Sequence, residues 1–242
     1  MLDIEKWMAR LTGELLERFG SRLLFLGLQG SYGRGEAGED SDIDVVTVLD
    51  RVGRSDLDAY RAIVSAMPEG EKACGFLCGA DGLKSWPRYD LYQLAGDTRA
   101  YHGELAPLLP ALGRNDLADA AAIGASGLYH ATCHTYLYGA QKDRSGFLKQ
   151  AHKGSFFVLR ALHELRTGDD VRTKRGLYPL LTGDEREILG CGLGEESLTL
   201  EEAFERLLRW SAAAMTEAQA QKDRCVLTGS RKEERYEERK RT

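Results

Sequence analysis

Between residues 2 and 19 apolar side chains recur at spacings of three and four. Ile4, Trp7, Met8, Leu11, Leu15, Leu16 and Phe19 share one side of a helix, and Gly20 supplies its stop. The next run, LLFLGLQ, is short, apolar and closed by Gly30, the pattern of a buried strand. IDVVTVLD follows with β-branched residues at Ile43, Val45, Val46, Thr47 and Val48, and reads as a second strand. Leu57, Tyr60, Ile63, Val64 and Met67 line one side of a second helix over Ser55–Met67, ended by Pro68 and Gly70. Ala73–Cys78 and Asp90–Ala95 are further strand candidates, separated by the loop GADGLKSWPRY.

The pattern changes near residue 115. Helical periodicity runs through Asp116–Ala140, Ser145–Arg166, Asp184–Leu189 and Leu198–Gln221, with Gly168, Gly176 and Pro179 as breaks. Gly103, Pro107, Pro110 and Gly113 mark a boundary between the two characters. The expected organisation is an α/β domain over residues 1–110, a helical domain over 111–230 and a flexible charged tail over 231–242.

Composition narrows the functional classes. Hydrophobic residues make up 43% of the 242 residues and charged residues 29%, so a packed core rather than disorder is expected. A formal net charge of -5 argues against a protein that coats nucleic acid, which needs a basic face. No apolar run reaches the roughly 18 residues of a membrane span. Five cysteines at irregular spacing, with no leader sequence ahead of them, fit reduced thiols in a cytoplasmic protein.

The chemistry concentrates in GSYGRGEAGEDSDID, residues 30–44. Side chains two apart on a strand share a face, with their bases about 6.6 Å apart, so Asp42 and Asp44 address one site. Two carboxylates that close repel unless a cation compensates them. Mg²⁺ suits them, because it takes carboxylate oxygens and keeps positions open for water and substrate phosphates. A pair of such ions about 3.5–4 Å apart would clamp the attacking and leaving oxygens of a phosphoryl or nucleotidyl transfer. Upstream, Gly30 lets backbone N–H groups approach an anion, and Ser31, Arg34 and Gly35 complete the turn.

GSYGRGEAGEDSDIDVV resembles the signature of the polymerase-β-like nucleotidyltransferase superfamily, G-S-x-x-R-G followed by S-D-x-D and an apolar strand. Gly30, Ser31, Arg34, Gly35, Ser41, Asp42 and Asp44 fall at the matching positions. The resemblance implies nucleoside triphosphate binding, with ATP the first candidate, and two Mg²⁺ ions. It implies transfer of a nucleoside monophosphate to an acceptor, with pyrophosphate leaving. In that pattern Gly30, Ser31 and Arg34 hold the triphosphate, and Asp42 and Asp44 are the metal-binding catalytic pair. The expected class is α+β, a mixed-sheet nucleotidyltransferase domain followed by an all-α helical bundle, as in small-molecule, aminoglycoside-type nucleotidyltransferases.

Members commonly add a third carboxylate on a later strand, as metal ligand or general base. ACGFLC carries none, so Asp90, opening DLYQLA, is taken as that catalytic residue, with Asp97 the second choice. In the helical half, TGDDVRTKRGLYPLL resembles the segment that offers a lysine to the triphosphate, and Lys174 is its match, with Lys153 a weaker one. His130, Cys133 and His134 lie within one helical turn, but lack the glutamate and further ligands of a zinc site and read as packing residues. Cys74 and Cys78 read as small buried hydrophobes, and Trp7, Trp86 and Trp210 as core. The expected partners are a nucleoside triphosphate and a small-molecule acceptor hydroxyl, without membrane or nucleic acid; an oligomer is compatible with the sequence. Two alternatives stand beside this: an antitoxin-like enzyme that adenylylates a protein, and a non-catalytic nucleotide sensor lacking the third carboxylate.

Overall fold

The computed structural model describes the backbone of residues 2–241 and the side chains of residues 2–224. Side chains of the segment 231–242, the expected flexible tail, lie outside the described residues. The chain divides into two compact units, Met1–Leu112 and Gly113–Thr242.

In the first unit α1 (Ile4–Phe19) opens on Asp3, whose carboxylate accepts from the Lys6 N–H, and buries Trp7, Met8, Leu11, Leu15 and Phe19. These positions, three and four apart, form one stripe against the sheet. The sheet is built from β1 (Leu23–Leu28), β2 (Ile43–Leu49), β3 (Ala73–Gly79) and β4 (Arg99–His102), in the order β3-β2-β1-β4. β1 runs antiparallel to β2 and to β4, while β2 and β3 are parallel. Between them lie α2 (Gly30–Gly33), α3 (Arg54–Ser65), α4 (Ala80–Lys84) and α5 (Arg88–Asp97).

Alternation along the strands sorts two cores. Ile43, Val45 and Leu49 join Leu26, Leu28 and the α1 stripe on one face. Val46 and Val48 join Phe25, Cys78, Leu83, Leu91 and Leu94 on the other, under α4 and α5. Asp44 has the parity of Val46 and Val48 and therefore belongs to the α5 face.

The structure corrects one element. DLYQLA was expected as a strand, but Asp90–Ala95 lies inside α5. Pro87 fixes the backbone ahead of the helix, and Leu91 and Leu94, three apart, both bury. The missing strand is β4, whose residues RAYH are exposed or half-buried and carry no apolar alternation.

The second unit contains α6 (Arg114–Tyr138), α7 (Gln141–Thr167), α8 (Lys174–Leu177), α9 (Gly183–Leu193) and α10 (Leu200–Arg241). Its core takes Leu117, Ala121 and Ala125 from α6, Phe156, Leu159 and Leu162 from α7, and Phe204, Leu207 and Trp210 from α10. Arg166 of α7 bridges Glu185 of α9 at 2.8 Å and Glu217 of α10 at 2.6 Å. The class is α+β, a mixed-sheet unit followed by helices. No helix among the described residues is long and apolar enough to cross a membrane.

Candidate active site

Strand direction assembles the site. β1 ends where its antiparallel neighbour β2 begins, so Gln29–Arg34 and Asp42–Asp44 meet at one end of the sheet, with the Gln29 N–H donating to the Asp44 carbonyl at 2.8 Å. Parallel β3 starts at the same end, with Cys74 in register beside Asp44. β4 also starts there, Arg99 opposite Leu28, which brings the last residue of α5, Asp97, to this edge.

The turn after β1 is shaped by contact with the acid pair. Gly30 has φ of +66°, in the left-handed region, and a Cβ built on it would lie 1.8 Å from the Asp44 Oδ2. Only glycine permits that backbone and that approach together. Tyr32 is buried in the α1-side core and pins the turn from one side. The first N–H groups of such a turn have no partner inside it. Ser31 is half-buried at its start. Asp44 is half-buried on β2, and Asp42 is exposed one residue before the strand begins, rather than on it as expected. A Ser41 hydroxyl accepting from the Gly38 N–H at 2.9 Å closes the loop that leads into the pair.

Other expected site residues fall differently. Arg34 does not project as an open cation: its side chain is 7% exposed, with Nη1 2.7 Å from the Asp97 carboxylate and Nε 3.3 Å from that of Glu36. Asp90 is exposed in the first turn of α5, seven residues and so about 10 Å of helix from Asp97. It begins no strand, and the carboxylate that α5 brings to the sheet end is Asp97. Lys174 opens α8 in the helical unit, its ammonium 5.9 Å from the centroid of the Phe156 ring.

The cysteine pair also divides. Cys74 is exposed, whereas burial under α5 pushes the Cys78 thiol up to about 11. Trp7 and Trp210 are buried, but Trp86 is 38% exposed and stacks on Phe76. The rings of His130 and His134 stand 6.1 Å apart, and no cluster of three or more histidine, cysteine or acidic side chains suited to a metal occurs among the described residues. Asp42 and Asp44 supply two carboxylates at this end of the sheet. That donor set fits Mg²⁺, which is usually held by one or two carboxylates together with substrate phosphates.

Residues 8–93, which span α1 through most of α5, match the family model of the nucleotidyltransferase domain. No curated protein matches the chain. Among solved structures, spectinomycin adenyltransferase AAD(9) from Enterococcus faecialis, solved with ATP and spectinomycin, is similar at a TM-score of 0.56 and 12% sequence identity. The match covers 89% of this chain and 99% of that one. At that identity the likeness concerns the fold, and it extends through both units. Over residues 8–93 the first unit is thus similar to the nucleotidyltransferase domain, in line with the resemblance of its Gly30–Asp44 segment, and that similarity supports an enzyme of the nucleotidyltransferase kind.

Proposed function

We propose that the protein transfers a nucleoside monophosphate from ATP to a hydroxyl group of a small molecule, with Mg²⁺ as cofactor and pyrophosphate as the second product. The observation that carries the reading is the contact of Gly30 with Asp44, which joins a turn suited to phosphate to a carboxylate suited to a metal. The likeness over 99% of an adenyltransferase chain favours a small-molecule acceptor, spectinomycin being the acceptor named with that neighbour.

On this reading the N–H groups at the start of α2 and the Ser31 hydroxyl hold the triphosphate. Asp42 and Asp44 hold the metal. When bound, Mg²⁺ supplies positive charge to the triphosphate and to the leaving pyrophosphate. Asp44, fixed between Gly30 and β3, sets the position of the phosphates, while exposed Asp42 adds the second carboxylate from the solvent side. The acceptor oxygen then bonds to the α-phosphorus as the bond to the bridging oxygen breaks, and the hydroxyl proton leaves to water. Catalysis of this kind rests on positioning and on charge rather than on covalent chemistry by side chains.

The test is pyrophosphate release from ATP and Mg²⁺ across a panel of aminocyclitols and aminoglycosides, beginning with spectinomycin, with product mass as confirmation. A mass increase of one AMP on an acceptor supports the reading. No nucleotide-dependent rise in melting temperature and no pyrophosphate with any triphosphate would exclude it.

A further inference from the structure

Arg34 stands in the turn next to the proposed triphosphate site, and its surroundings give it another task. The guanidinium is held from two directions, by Asp97 Oδ2 at 2.7 Å on Nη1 and by Glu36 Oε2 at 3.3 Å on Nε. All three side chains are largely withdrawn from solvent, at 7%, 6% and 15% exposure. The same end of α5 touches the turn twice more. The Gln29 side-chain amide donates to the Leu94 carbonyl at 3.3 Å, and a Cβ at Gly33 would stand 3.7 Å from the Asp97 carbonyl and 2.8 Å from that of Leu28. Thr98, the next residue, donates to Leu94 and lays its methyl group against Gly27 of β1. The C-terminal end of α5 thus grips Gln29, Gly33 and Arg34, which flank Gly30 and Ser31 on both sides.

We propose that Arg34 is a positioning residue, a strut between the turn and α5 anchored by Asp97 and Glu36, and that this strut holds Gly30 and Ser31 in the geometry that binds triphosphate. The inference rests on the triphosphate reading of that turn. Charge makes it distinct from a ligand role. Neutralising Asp97 removes a negative charge from this end of the sheet, so by Coulomb's law it should strengthen the binding of an anion. A strut requires the opposite. Losing a buried, charge-assisted hydrogen bond loosens the turn, and triphosphate affinity falls. Asp97 is then assigned as an anchor, its Oδ2 held by the Arg34 Nη1.

The experiment compares Asp97→Asn and Arg34→Lys with wild type in the full chain. It reads Mg·ATP affinity by titration calorimetry and amide hydrogen exchange at residues 29–35 in the ligand-free protein. Lysine keeps the charge but cannot fork towards two carboxylates. Both variants should raise the Mg·ATP dissociation constant about tenfold, as expected for one charge-assisted hydrogen bond. Both should also speed exchange in residues 29–35 while the strands of the sheet keep their protection. Unchanged or tighter ATP binding in a folded variant overturns the strut, as does exchange that is unchanged in the turn or rises equally across the whole unit. Should Asp97→Asn fail to fold, Arg34→Lys decides the question. If wild type itself binds no Mg·ATP, the triphosphate reading fails on that result, and the exchange measurement still decides whether α5 holds the turn.

Discussion

Gly30→Ala tests the joint between turn and acid pair, and the structure supplies its own control. Gly30 and Gly35 have similar positive φ, +66° and +72°. Around a Cβ at Gly35 nothing lies within 4 Å, whereas at Gly30 it would meet the Asp44 Oδ2 at 1.8 Å, Cγ at 2.8 Å and Cβ at 3.2 Å. Alanine in the left-handed region costs about 1–2 kcal/mol, offset by about 0.4–1 kcal/mol from the stiffer unfolded chain. Gly35→Ala should therefore lose about 1 kcal/mol. Gly30→Ala adds an overlap that must be relieved by moving the Asp44 side chain, a further cost of about 1–3 kcal/mol. At roughly 4–8 °C per kcal/mol for a unit near 100 residues, the melting transition of the first unit should fall by about 5 °C in Gly35→Ala and by two to three times that in Gly30→Ala. The carboxylate displaced in Gly30→Ala is a proposed metal ligand, so Mg·ATP affinity should drop at least about tenfold there and stay close to wild type in Gly35→Ala. Equal melting temperatures and equal ATP affinities in the two variants would refute the claim that glycine at position 30 serves Asp44.

Further expectations concern separate parts of the first unit. Mg·ATP at about 100 times its dissociation constant adds about 2.7 kcal/mol to a binding-competent protein; Asp42→Asn and Asp44→Asn should forfeit most of that thermal shift while melting at or above the wild-type temperature without ligand. Retention of the full shift in both would remove the two aspartates from the metal site. Asp56, bonded to the Arg22 guanidinium at 2.9 Å and accepting from the Gly53 N–H at 2.9 Å, is held down to about 2. Its folded value lies below the unfolded value of about 3.9, so its stabilisation is complete above that pH and is lost as pH falls towards 2. Urea midpoints at pH 2.5, 4 and 7 should show a steep acid loss in wild type and a shallower one in Asp56→Asn. Iodoacetamide at pH 8 should alkylate exposed Cys74 well before Cys78, whose thiol burial raises to about 11; peptide mass mapping over time gives the order, and earlier modification of Cys78 would contradict its burial.

How far the sequence reveals this structure depends on how local each cause is. The stripe of α1, the two strands around the turn and the helices of the second half rest on periodicities contained in their own residues, and all are visible in the sequence. The meeting of Gly30 with Asp44 is less local, because fourteen residues separate β1 from β2 and only their antiparallel pairing leaves the end of one strand beside the start of the next. DLYQLA misled because a short apolar segment fits both periods. Proline at position 87, with Leu91 and Leu94 three apart, is the signal that could have separated them. β4 carries no pattern of its own and is a strand because β1 offers it an edge. The partner of Arg34 was beyond local reading altogether: Asp97 lies 63 residues away and reaches the turn only because α5 crosses that face of the sheet. The Glu36 contact is local by comparison, since it lies only two residues from Arg34.

The charges at this sheet end carry the last step. Asp42, Asp44, Glu36 and Asp97 supply four carboxylates, and Arg34 supplies a guanidinium already shared by two of them. Arg99, at the start of β4, is paired with Glu5 at 2.6 Å. On β3 the position beside Asp44 is Cys74, so the neighbouring strand adds neither a third acid nor a base there. A triphosphate carries several negative charges of its own, and carboxylates such as Asp42 and Asp44 repel it unless a cation stands between them. The glycine turn offers N–H dipoles, which orient phosphates but do not cancel that repulsion. On the proposed reading the divalent cation is therefore a condition of nucleotide binding as well as of chemistry, and ATP without Mg²⁺ should associate weakly with a turn otherwise shaped to receive it.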